Sequence, residues 1–123
     1  MQNITIEHSA EAVCAAGSTS LSQIRSQPRY DALQVMIKGV TNIVLAYQDK
    51  RVLHGVMGVG GSTSTAVVSE IMRALNIGLP KLIVSTMASG NVSTYVGDSD
   101  ITIMPSIGKY HPLLTGNLKI RAQ

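Results

Sequence analysis

Val52-Leu53-His54-Gly55-Val56-Met57-Gly58-Val59-Gly60-Gly61-Ser62-Thr63-Ser64-Thr65 is the stretch on which the fold turns. Residues 52–57 form a short, mostly apolar run ending in glycine, the pattern of a strand buried on both faces. After the glycines, Ser62 is placed to cap a helix reaching about Asn76, with Val67, Val68, Ile71 and Leu75 on its inner side. Gly78, Leu79 and Pro80 punctuate the exit, and Leu82-Ile83-Val84 reads as a second buried strand. The order strand, helix, strand implies parallel pairing through a right-handed crossover. Ile101-Thr102-Ile103-Met104, ended by Pro105, reads as a third strand, and residues 85–100 are long enough to cross to it.

Upstream, Ser9 is placed to cap a short helix through Ala16 that Gly17 ends, and Ser26, Gln27 and Pro28 form the next break. Leu33, Met36, Ile37, Val40, Ile43, Val44 and Tyr47 follow helical spacing, which predicts an amphipathic helix over 29–48. Beyond Ser106 the pattern fades, with Leu113, Leu114, Leu118 and Ile120 scattered. The fold class expected is α/β: a three-layer, Rossmann-like parallel sheet with flanking helices.

Composition bounds what such a fold does. The chain has 123 residues, which fits one domain over 1–123. Hydrophobic residues make up 45% and charged residues 14%, enough for a buried core. Trp and Phe are absent, so no stacking platform for single-stranded nucleic acid is in view. The net charge of +3 is spread without a basic run, and no nucleic-acid partner is expected. No apolar run approaches the roughly 18 residues of a membrane span. The opening Met1-Gln2-Asn3-Ile4 lacks the features of a secretory signal. Cys14 is the single cysteine, which excludes an intrachain disulfide and fits a reducing, cytoplasmic setting. His8, His54 and His111 are too far apart in sequence to make a metal set, and Asp98 and Asp100 suit a turn.

In an open parallel sheet, ligands collect beyond the carboxyl ends of the strands. Two segments are expected there. The first is Gly58, Gly60 and Gly61 with Ser62, Thr63, Ser64 and Thr65. Glycine lets backbone approach a ligand closely, the opening N–H groups of a helix have no intrahelical partners, and the dipole favours negative charge. Four hydroxyls add donors, which makes a phosphate site that needs no lysine. It is not a Walker loop, because no Gly-Lys-Ser/Thr follows, and Thr63 stands where a dinucleotide fingerprint has its third glycine. The second segment is Ser85, Thr86, Met87, Ala88, Ser89, Gly90 and Asn91, small and polar, facing the first across a cleft. Beside this reading stands a plainer one, in which the turn needs glycine only for packing and the loop is merely solvated.

Gly58-Val59-Gly60-Gly61-Ser62, the run 72–81, Val84-Ser85-Thr86-Met87-Ala88-Ser89-Gly90-Asn91-Val92, Tyr95-Val96-Gly97 and Ser99-Asp100-Ile101 together resemble one family. It is the two-domain family typified by the tomato mosaic virus resistance protein of tomato, and the similarity covers about 11–106. The resemblance implies an N-terminal ATP-binding domain followed by a TIM-barrel-like domain, with this chain a partial N-terminal domain. On that ground ATP or a related nucleotide is the expected ligand, lined by the two segments. The family's turn continues with two more glycines, where this chain has Thr63 and Ser64; a positive φ at either would strain the loop. The family's opening strand and helix, with an Asp-Thr-Lys motif, and its C-terminal domain have no counterpart here, and 107–123 diverges. Two further readings stay open: an enzyme fragment that needs the TIM-barrel-like domain, and an interaction module with a structural turn. A shortened sheet with bare edges also predicts a homo-oligomer.

Overall fold

The structure, a computed structural model, describes residues 7–106 and the backbone of 119–122. His111, Lys109 and the leucines at 113, 114 and 118 lie outside the described residues. The chain divides into two compact units, 1–43 and 44–123.

The first unit is helical. Helix α1 (Ala10–Ala16) starts where the Ser9 hydroxyl accepts the Ala12 N–H, and it stops at Gly17. Helix α2 (Leu21–Arg25) has no apolar repeat long enough to announce it. It rests on a capping box, the Ser20 hydroxyl taking the Gln23 N–H while the Gln23 side chain takes the Ser20 N–H. Helix α3 (Arg29–Asp49) begins after Pro28, as expected, and its last residues belong to the second unit. Within the first unit it runs close to α1: a Cβ at Gly39 would collide with the Val13 carbonyl, and Asn42 donates to the Ala16 carbonyl at 2.8 Å. Cys14 is fully buried there, its sulfur 3.9 Å from that of Met36.

The second unit is built on a sheet. Strand β1 (Leu53–Gly60), helix α4 (Ser62–Arg73) and strand β2 (Lys81–Ser85) make the expected parallel unit, with Gly58 opposite Ile83 and Gly60 opposite Ser85. Turns and the short helix α5 (Ser93–Val96) lead to strand β3 (Thr102–Pro105), parallel to β2. Strand β4 (Lys119–Ala122) returns antiparallel to β1, giving the order β3-β2-β1-β4. The α/β class and the three parallel strands agree with the sequence reading. The fourth strand does not appear in that reading, because Lys119-Ile120-Arg121-Ala122 is too short and charged to show strand alternation.

Residues paired across the strands share a face, and alternation sorts them. Val56, Gly58 and Gly60 with Lys81, Ile83 and Ser85 are all buried on the side of α4. From α4 come Thr65, Val68, Ser69, Ile71 and Met72, the last two almost wholly inaccessible. Burying a side chain of that size contributes about 1.5–3 kcal/mol. The opposite face carries Met57, Val59, Leu82, Val84 and Met104, with Met57 40% and Met104 50% exposed.

Candidate functional site

β1 runs three residues further than apolar patterning predicts. Gly58, Val59 and Gly60 are strand, held by pairing with Ile83, Val84 and Ser85, so the chain turns into α4 at Gly61 alone. The two strand glycines have a packing reason. A Cβ at Gly58 would strike the methyls of Val68, and one at Gly60 would strike the Ser64 side chain, whose Oγ would be only 2.6 Å away. Gly61 differs: a Cβ there meets nothing nearer than Thr86 Oγ1 at 3.7 Å. It is the one glycine of the three at which a Cβ would clash with nothing.

Gly61, not Ser62, is the N-cap of α4; its φ is −91° and no side chain caps the helix. Both α1 and α2 spend a serine hydroxyl on that task, so α4 starts with its first N–H groups, those of Ser62, Thr63 and Ser64, uncapped. Thr63 and Ser64 lie inside α4 and neither has a positive φ, so the two substitutions for glycine carry no backbone strain. Ser62 and Thr63 are exposed and Ser64 is half-buried.

Three parallel strands converge here. The Ser106 N–H donates to the Ser85 carbonyl at 3.0 Å, so the end of β3 is tied to the end of β2. The loop after β2 touches the turn directly, with the Thr86 N–H 3.4 Å from the Gly60 carbonyl. The two segments are therefore adjacent at the backbone. Their side chains divide by burial. Thr86, Ser89, Gly90 and Asn91 are exposed, and Ala88 is half-buried. Asn91 is committed locally, its Oδ1 accepting both the N–H and the hydroxyl of Ser93 at the start of α5.

Thr65 and Ser85 are buried, at 1% and 0% exposure, and bonded to one another at 2.6 Å. Thr65 Oγ1 also donates to the Gly61 carbonyl at 2.6 Å, and Ser85 Oγ accepts the Met87 N–H at 3.0 Å. Sequence reading counts the Thr65 hydroxyl among the ligand donors and places Ser85 in the second segment lining the site; the protons of both are spent inside the fold.

The other end of the same strands carries a buried cation. Lys81, side chain 0% exposed, donates to the carbonyls of Asn76 and Leu79 at 2.7 and 3.1 Å and to Asp100 Oδ1 at 2.6 Å. All three of its N–H donors are thereby used, just beyond the carboxyl end of α4. The Lys81 hydrogen bond, aided by the Gly78 N–H on Oδ2, lowers the Asp100 carboxyl from 3.8 to about 2. Sequence reading gives Asp100 a turn role; its carboxylate is bonded instead to Gly78 and Lys81, far from it in sequence. Lysine in this place was not singled out from sequence, because Pro80-Lys81-Leu82 gives no hint that its side chain points inward. Among the described residues no cluster of His, Cys, Asp and Glu is arranged to hold a metal ion, and no helix is long and apolar enough to cross a membrane.

Comparison with known proteins gives this arrangement relatives. The family described as "Uncharacterised protein family (UPF0261) N-terminal domain" matches residues 1–112, so the match starts before Glu11 and runs past Ser106. A UPF0261 protein of Clostridium tetani is 39% identical over 97 residues, which is 79% of this chain and 24% of that protein. A UPF0261 protein of Rhizobium meliloti is 37% identical over 105 residues, 85% of this chain and 26% of its own length. The ToMV resistance protein Tm-1(GCR237) of Solanum lycopersicum is 41% identical over 76 residues, 62% of this chain and 10% of the tomato protein. The chain thus spans about a quarter of the length of these bacterial relatives and a tenth of the tomato one. With a family match over nearly the whole chain, it belongs to the UPF0261 family, within its N-terminal domain.

Proposed function

We propose that this domain holds a phosphate-bearing ligand, ATP or a related nucleotide, on the opening turn of α4. The observation that carries the reading is the uncapped start of α4, set where three parallel strands end and fronted by an unobstructed glycine. Unpartnered N–H groups and the positive end of the helix dipole favour an oxyanion there. The exposed hydroxyls of Ser62, Thr63, Thr86 and Ser89 supply further donors. The reading is one of binding, and a reaction, where there is one, is left to the further length that the relatives carry. The setting proposed is cytoplasmic, in keeping with the free thiol of Cys14, and the working form a homo-oligomer.

The test is thermal denaturation with millimolar ATP, ADP and inorganic phosphate. Ligand at 100 times its dissociation constant stabilises the fold by about 2.7 kcal/mol. Gly61→Val is expected to melt within about 1 kcal/mol of the parent, since the N-cap makes no side-chain bond to lose. It is also expected to lose the ligand-induced shift. One observation favours a second reading, a purely structural turn in an interaction module: helix packing alone accounts for Gly58 and Gly60. An unchanged melting temperature with all three ligands would decide for that reading.

A further inference from the structure

The buried hydroxyls of Thr65 and Ser85 have a direction fixed by proton counting. Each hydroxyl has one proton to give. Thr65 spends its proton on the Gly61 carbonyl, so the proton between the two side chains must come from Ser85. Ser85 Oγ in turn accepts the Met87 N–H. The result is a single chain: Met87 N–H to Ser85 Oγ, Ser85 O–H to Thr65 Oγ1, Thr65 O–H to the Gly61 carbonyl. It begins in the loop after β2 and ends at the N-cap of α4, and both middle members are inaccessible to water.

We infer that Thr65 is a positioning residue that fastens the loop after β2 to the glycine turn, making the two segments one unit. It does so through bonds that water cannot replace, so losing one link releases the next. The chain also sets which backbone groups the turn has left to offer. The Gly61 carbonyl takes both the hydroxyl and the N–H of Thr65, the latter at 2.9 Å, and the Gly60 carbonyl takes the Thr86 N–H. With those two acceptors occupied, the turn presents N–H groups rather than lone pairs. This consequence rests on the phosphate-site reading: the ligand it selects is a deprotonated oxyanion that only accepts, a phosphate or diphosphate group. A ligand that must donate meets fewer free backbone acceptors there than N–H donors, and turns to the hydroxyls instead.

Native-state hydrogen exchange at the Met87 amide tests the chain without any ligand. Thr65→Val removes the middle hydroxyl at constant shape, and the Met87 amide, two bonds away, is expected to exchange about tenfold faster, the scale of one hydrogen bond. Thr65→Ser restores the hydroxyl and is expected to restore protection, which packing alone would not do. In a double-mutant cycle with Ser85→Ala, the loss of melting stability is expected to fall short of the sum. Should Thr65→Val melt too low for exchange to be read, Thr65→Ala against Thr65→Ser gives the same contrast, since only the alanine lacks the hydroxyl. Unchanged Met87 protection in Thr65→Val overturns the inference. Binding is read separately, with ATP and inorganic phosphate as probes. Weaker binding by Thr65→Val, rescued by Thr65→Ser, supports the role in the site, and equal binding by both overturns that role. If the parent protein binds neither probe, the phosphate reading falls, and exchange still decides whether the chain couples the segments.

Discussion

Gly60 and Gly61 are neighbours with opposite tolerances. A Cβ at Gly60 enters the space of Ser64, whereas one at Gly61 makes only an ordinary contact with Thr86 Oγ1. Gly60→Val is therefore expected to lower stability by forcing the first turn of α4 aside, about 1–3 kcal/mol on the scale of an overpacked site. Chemical denaturation checks this, and a midpoint equal to that of Gly61→Val would show that the turn yields without cost. Sequence reading treats the three glycines alike because each is only a missing Cβ on paper. What separates them is the partner across the gap, Val68, Ser64 or Thr86, and that depends on how α4 sits on the sheet. The same blindness applies to Thr65 and Ser85, whose residue types are legible but whose burial is not.

At the scale of elements, α4 is closed at one end and open at the other. Its amino end starts on a glycine with no side-chain cap, while beyond its carboxyl end the Lys81 ammonium donates to the Asn76 and Leu79 carbonyls. Lys81→Met is expected to destabilise the fold by about 2 kcal/mol, the worth of charge-assisted hydrogen bonds. Equilibrium unfolding is the check. The partner carboxyl gives a pH signature. Asp100 has its folded value depressed to about 2 from 3.8, so its contribution is complete above about pH 4 and is lost as pH falls through about 2. Asp100→Asn is expected to flatten that part of the acid-unfolding curve; an acid limb of unchanged steepness would mean that the pair contributes nothing. Helices α1, α3 and α4 and the buried strands are legible because apolar periodicity and capping residues are local signals. The last three residues of β1 were not, since glycines 58 and 60 read as a turn, and only pairing with β2 makes them strand. Helix α5 was hidden for a similar reason: four residues carry no period, and its entry is set by the Asn91 side chain.

For the molecule as a whole, the expectation of bare sheet edges meets two devices. β4 lies along β1, and the outer strand β3 is four residues long and ends in Pro105, which has no N–H to offer. What is left uncovered is apolar: Met57 and Met104 on the sheet face away from α4, and Ile77 at 77% and Tyr30 at 71% exposure. Self-association is accordingly expected to run through such surfaces rather than through strand addition. Light scattering across a dilution series should give a mass above that of one chain. A single-chain mass at all concentrations, with a cooperative melt, would show that these residues are simply solvated.

The order of the strands also sets a timetable. β1, β2 and β3 are neighbours both along the chain and in the sheet, each reached after one short excursion. β4 instead pairs with a strand that left the chain far earlier, Ala122 lying opposite Leu53. Closing a long loop costs entropy before its contacts repay it, so distant pairings form late and come apart early. On a chain emerging amino end first, the parallel part has its strands in hand while one flank of β1 still lacks its neighbour. Until then that flank is a free template for any extended segment nearby.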